Sequence, residues 1–161
     1  MAYKTLVESV LLFSSCTWAL SSIQADKLDI FQRRMLRRIL HYKWSDKITN
    51  EDLYSEAEVI PASQQVLESR WNMFGHVLRL NENAPARQAM TSYFNDMRNS
   101  RQGPRVLIST CLSNEYHDAF GKKIDSKEVF DNMVVLAQNS NGWKQKIETI
   151  VHRRVDMCNK M

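Results

Sequence analysis

Glycine and proline are scarce in this chain of 161 residues, which holds four and three of them. Sheets of short strands need many tight turns, and those two residues supply most of them. Their scarcity argues against sandwiches and barrels and for an all-α fold, a multi-helix bundle of about six or seven helices, arranged as one body or as two small lobes. Cysteine is equally sparse. Cys16, Cys111 and Cys158 lie far apart with no Cys-x-x-Cys pair, which excludes a disulfide scaffold and leads us to expect reduced thiols in an intracellular protein of nucleus or cytoplasm. Cys111 with His117, or His152 with Cys158, offers two metal ligands where a structural zinc needs four, so no metal or cofactor is expected. No apolar run reaches the roughly 18 to 20 residues of a membrane span. The apolar segment Leu6–Leu20 is interrupted by Glu8, ends around Trp18 and lacks a small-x-small cleavage site, so it does not read as a secretory signal. Absent too are a Gly-rich phosphate loop, His-Glu-x-x-His, Gly-x-Ser-x-Gly and an Asp-Asp pair after a hydrophobic strand. The chain is expected to carry no active site of its own.

What is present is helical periodicity. Tyr3–Leu20 is apolar enough for a buried helix, with Ser14-Ser15-Cys16 as a weak point. Ser21 or Ser22 can cap a second helix reaching about Tyr42, whose Leu28, Phe31, Met35 and Ile39 step by three and four as an apolar stripe. Thr49 and Asp52 have capping-box spacing for a short helix from Asn50 to Glu58. Further helices are expected over Ala62–Leu80, from Pro85 to Phe94, after Pro104 to Phe120, over Lys127–Gln138 behind a Ser126 cap, and over Trp143–Met157. Asn139-Ser140-Asn141-Gly142 reads as the break before the last of these.

The net charge of +4 is modest, but its distribution is not even. Between Lys27 and Lys47 stand seven cations against two acids, a local charge of +5. Arg33, Arg34, Arg37 and Arg38 fall opposite the apolar stripe as two adjacent rows. A guanidinium offers a planar fork of donors and a charge that does not titrate, which suits phosphates. The same face could instead be solvated, or paired with the acids Glu51, Asp52, Glu56 and Glu58. On the Ala62–Leu80 helix, Arg70 falls inside the apolar face and needs a buried partner, which makes it structural. Gly75 in mid-helix costs roughly 1 kcal/mol against alanine and suggests a close approach, of a backbone or of a nucleic-acid strand, with His76 and Arg79 flanking the bare patch.

Read in order, several strings resemble one family. Phe31-Gln-Arg-Arg-Met-Leu-Arg-Arg-Ile-Leu40 and Trp44-Ser-Asp-Lys-Ile-Thr-Asn-Glu-Asp-Leu53 resemble the segment after the polymerase core of LINE-type (non-LTR) retrotransposon reverse transcriptases. Arg70-Trp-Asn-Met-Phe-Gly-His-Val-Leu-Arg79 is similar to that family's Arg-x4-Gly-His-x2-Arg signature. Leu11-Leu-Phe-Ser-Ser-Cys-Thr-Trp18 looks like its Leu-Leu-Tyr-Gly-Ser-Glu-Thr-Trp, and Arg101-Gln-Gly-Pro-Arg105 resembles its Arg-Gly-Arg-Pro-Arg. The likeness covers Leu11–Arg105. It departs at Phe13-Ser-Ser-Cys16, lacks an arginine between Gly103 and Pro104, and lacks the tryptophan that follows in the family.

The resemblance implies a fragment, or a repurposed product, that holds neither endonuclease nor polymerase palm. It implies three regions: 1–60, thumb-like with the basic helix; 61–120, with the Gly-His motif and a basic loop; and 121–161, a C-terminal helical hairpin. The expected role is a non-catalytic contact with the template–primer, an RNA or RNA–DNA duplex read by shape and not by sequence, beside the parent's polymerase core. The contacts expected are Arg33, Arg34, Arg37, Arg38 and Lys43 on the basic helix and its exit, His76 and Arg79, and Arg98, Arg101 and Arg105 on the loop. The alternative is a repurposed protein–protein interaction module in which the eight methionines and four tryptophans line a partner groove. Surface exposure of Trp44, Trp71 or Trp143 would favour it.

Overall fold

The computed structural model of the chain describes residues 3–95, 107–124 and 127–158, with 95 and 154–158 as backbone alone. A π-helical turn, Lys4–Glu8, leads into α1 (Ser9–Leu11), followed by α2 (Ser22–Ile39), α3 (Asn50–Ala57), α4 (Ala62–Arg79), α5 (Pro85–Asn95), α6 (Ile108–Phe120), α7 (Lys127–Gln138) and α8 (Ser140–Cys158). The fold is an all-α multi-helix bundle. The described residues hold eight α-helices, against the six or seven expected, and no strand. No helix among them is long and apolar enough to cross a membrane.

Several helix starts follow from local sequence. Ser21 and Gln24 form a reciprocal capping box on α2, with Gln24 Oε1 accepting from the Ser21 amide at 2.9 Å. Thr49 Oγ1 accepts from the Asp52 amide at 3.1 Å and starts α3. Before α8 the expected four-residue break shrinks to Asn139. Its Oδ1 accepts from the amides of Asn141 and Gly142, both at 3.2 Å, so the asparagine ends one helix and caps the next. The Ser126 cap expected for α7 lies outside the described residues.

The start of α4 is fixed from a distance. Pro61 offers no side-chain cap. Instead Gln32 of α2 accepts from the Ala62 amide through Oε1 at 2.8 Å, and Asp29 accepts from the Ser63 amide at 2.8 Å and its hydroxyl at 2.6 Å. Two side chains about thirty positions upstream thus take orphan donors at a helix N-terminus, and the Asp29 charge faces the positive end of the dipole. Gln32 is wholly buried, with its Nε2 donating to Glu8 Oε1 at 3.0 Å and to the Ile60 carbonyl at 3.1 Å.

That inward glutamine rotates α2 away from the expected stripe. The buried positions are Ala25, Gln32 and Leu36, while Phe31 and Ile39 are each 43% exposed. The reason is polar: the α4 amides and the buried Glu8 need partners, and Gln32 satisfies both. The first segment departs from expectation too. The helix stops at Leu11, Ser14 takes a left-handed φ of 56°, and a short 3-10 turn spans Ser15–Thr17. Glu8 and Tyr3 face inward, whereas Leu6, Val10 and Phe13 point to solvent, Phe13 at 81% exposure.

Two apolar clusters result. The smaller gathers Tyr3, Leu36, Leu53, Ala57 and Val59. The larger spans α4 to α8 and includes Trp71, Phe74, Phe94, Leu112, Phe130 and Trp143, so a single core joins residues on both sides of position 120. Its rings interlock, Trp71 with Trp143 at 5.9 Å and Phe94 with Phe130 at 5.2 Å between centroids. Pairs like these add about 0.5–1.5 kcal/mol each beyond their buried area. The buried Arg70 meets Glu115 in an ion pair, and Trp71 Nε1 donates to the same carboxylate at 2.9 Å, so Arg70 is structural as expected.

Candidate nucleic-acid interface

Helix α2 presents its basic rows beside the loop that follows it. The helix ends in a Schellman motif: Tyr42 donates its amide to the Arg37 carbonyl at 2.9 Å, and His41 to the Arg38 carbonyl at 3.3 Å. His41 holds the left-handed position, φ 59°, that a glycine would otherwise fill. The chain then folds back through a 3-10 turn, Trp44–Asp46, and leaves it at Lys47 with φ 48°. Asp46 fixes this turn by accepting from the Lys43 amide at 2.7 Å and the Ser45 hydroxyl at 3.0 Å.

Between α2, this loop and the start of α3 lies an open groove of about 930 Å³. Arg33, Arg34, Arg37, Arg38, Lys43 and Lys47 line it, together with Ile30, Tyr42, Trp44, Ile48 and Asn50. Arg34 and Arg38 are exposed, and Arg33 and Arg37 half-buried. Arg37 Nη2 donates to Asn50 Oδ1 at 2.9 Å, a neutral partner that aims the guanidinium without cancelling its charge. Among the described residues none of the six cations forms an ion pair.

Four of the acids near the groove are engaged elsewhere. Asp29 holds Ser63, Asp46 holds its own turn, and Asp52 accepts from Thr49 Oγ1 at 2.7 Å. Glu56 accepts from the Tyr42 hydroxyl, and that hydrogen bond raises the phenol above its ordinary pKa. Burial pushes the Tyr54 phenol up, with the nearby Arg33 charge opposing the shift. Cations crowded without counter-ions repel one another, a cost that an arriving polyanion would relieve.

The other expected contacts sit apart. Gly75 is covered: a Cβ there would lie 2.6 Å from Cε2 of Trp143, whose Nε1 donates to the Trp71 carbonyl at 3.2 Å. The close approach that the glycine permits is an indole ring in the core, and the bare patch foreseen between His76 and Arg79 does not exist. Both residues are exposed near the end of α4, roughly 25 Å along the helix from its start. Arg79 Nη1 donates to the Ala137 carbonyl at 3.2 Å, where a cation suits the negative end of α7. Neither lines the groove. Arg98, Arg101 and Arg105 lie outside the described residues.

Six lining residues, Ile30, Tyr42, Trp44, Lys47, Ile48 and Asn50, were not among the expected contacts. Lys47 had a signal, its place in the basic stretch. Trp44 begins the 3-10 turn after the helix, and Ile30, three and four positions before Arg33 and Arg34, shares their face by helical spacing alone. No family model, no curated protein and no solved structure matches the chain.

Proposed function

We propose that the groove on α2 holds the phosphate backbone of a nucleic acid without reading its sequence, as the non-catalytic template–primer contact of a LINE-type reverse transcriptase fragment. The observation that carries the proposal is six cations on one groove, none of them in an ion pair among the described residues, with Asp29, Asp46, Asp52 and Glu56 each committed to another partner. Guanidinium forks in two rows suit phosphates or 2′-hydroxyls spaced along a strand, and offer no acceptor for base edges. An RNA–DNA hybrid is the ligand that the resembled strings suggest. The retrotransposon origin rests on those strings alone.

Filter binding of a short RNA–DNA hybrid across a salt series tests this. Binding at low salt should weaken steeply as salt rises, because phosphate neutralisation releases counterions. Replacing Arg33, Arg34, Arg37 and Arg38 together by glutamine should reduce the log–log salt slope by about 3. Helicity by circular dichroism should persist, since surface changes of this kind shift stability by about 0.5 kcal/mol or less apiece. Absence of binding at low salt, or binding indifferent to salt, refutes the proposal.

The alternative of a protein-docking module draws support from Leu6, Val10 and Phe13, which leave apolar side chains of the first segment open to solvent. Trp44, 98% exposed, favours it as well, whereas Trp71 and Trp143 are interior and line no partner groove.

A further inference from the structure

The groove contains more than a phosphate ladder requires. Trp44 is 98% exposed, the most exposed of the chain's large apolar side chains among the described residues, and it stands on the groove's lip. Leaving an indole in water forgoes the free energy that burying it would contribute. The loop nevertheless fixes its backbone with some care. Asp46 ties down the turn, and left-handed residues His41 and Lys47 bracket it. Single non-glycine residues in that conformation cost on the order of 1 kcal/mol each, so the turn is specified by its surroundings and is not a random coil. Ile30, Tyr42 and Ile48 continue an apolar strip between the cations.

Phosphates alone would not want that strip. A nucleotide presents both surfaces: an anionic backbone and a flat, apolar base. Aromatic rings flanked by cations are the arrangement that holds unpaired bases, because every base has a π-face while a base inside a duplex shows only its edges. We infer that Trp44 is a stacking platform and that the groove takes a strand with at least one unpaired nucleotide, its base on the indole and its phosphates on Arg34, Arg38 and the neighbouring cations. The substrate class is therefore single-stranded RNA or DNA, or the single-stranded overhang of a hybrid, in preference to a blunt duplex. This rests on the groove being a nucleic-acid site and goes beyond it in naming which part of the nucleic acid enters.

The test compares three fluorescent ligands by anisotropy at low salt: a blunt RNA–DNA hybrid, the same hybrid with a short unpaired tail, and the tail sequence as a free single strand. Tailed and single-stranded ligands should bind more tightly than the blunt one. Trp44→Ala should weaken binding of the tailed ligand by roughly 5- to 150-fold and leave the blunt hybrid and the salt slope unchanged. Trp44→Phe should restore most of the loss, which a merely structural side chain would not show. The exposed side chain makes loss of the fold an unsuitable explanation for a weakened variant, and circular dichroism checks this directly. If blunt and tailed hybrids bind alike, or Trp44→Ala leaves the tailed ligand unaffected, the stacking role fails while the phosphate groove stands. If none of the three ligands binds, both fail together.

Discussion

At the C-terminal end of α4 the molecule is built of aromatic rings; at its N-terminal end it is built of amides and carboxylates. Around Trp71, Phe74 and Trp143 the interior is apolar, with one ion pair, Arg70 with Glu115, closed inside it. Around Ala62 the contacts are Gln32, Asp29, Glu8 and Gln65, joined by hydrogen bonds over a small cluster of five buried apolar residues. Hydrophobic burial is non-directional and cheap to satisfy, whereas a polar junction holds only in one geometry. The difference shows why the groove sits where it does. A polar junction sets the angle of α2, and that angle decides which faces of α2 meet solvent.

The sharpest way to break the contrast is at the buried pair. Glu115→Ala strips the carboxylate from Arg70 and from the Trp71 indole together, and should lower stability by about 3–5 kcal/mol in urea denaturation followed by tryptophan fluorescence. Replacing both partners, Arg70→Met with Glu115→Leu, should recover much of that loss. A loss under about 1 kcal/mol for the single variant would mean that the ion pair is not what closes the aromatic lobe.

A smaller effect is expected at the polar junction. Gln32→Leu leaves the Ala62 amide without its acceptor and removes one of the donors to Glu8, at a cost of about 1–3 kcal/mol. Amide hydrogen exchange should quicken in α2, α3 and the first turn of α4 while α7 and α8 stay protected. Uniform quickening across both lobes would contradict the division.

The smallest effect is alkaline. Burial raises the phenols of Tyr3 and Tyr54, and the hydrogen bond to Glu56 raises that of Tyr42; all three lie in the N-terminal lobe, against Tyr116 alone in the other. A group whose folded pKa exceeds its unfolded value of 10.0 is neutral in both states below that pH, where its contribution is fully present. Above it the unfolded chain gives up the proton first, so stability falls as pH rises through the folded values. The N-terminal lobe should therefore loosen before the aromatic one in a titration above pH 10 watched by hydrogen exchange or circular dichroism. The reverse order would argue that the smaller cluster is not the weaker one.

Much of the helical architecture was legible because its signals are local. Ser21, and Thr49 with Asp52, announce helix starts within a single turn, and the i, i+1, i+4, i+5 spacing of the four arginines places them on one face of any helix they occupy. The stripe Leu28, Phe31, Met35, Ile39 misled, since apolar periodicity says nothing of a glutamine recruited inward by amides thirty residues away. Gly75 signalled a close approach without naming its partner: the indole of Trp143 reaches it from 68 positions along the chain.

Composition, caps and period therefore determined that this chain is helical, where most of its helices begin, and that its positive charge gathers on one of them. Tertiary structure alone decided that the charge remains unpaired, that Trp44 stands in water beside it, and that His76 and Arg79 belong to another end of the molecule. The reason is reach. A cap or a helical face is settled within about four residues, while a counter-ion, a covering ring or a shared groove depends on which segments the fold brings together.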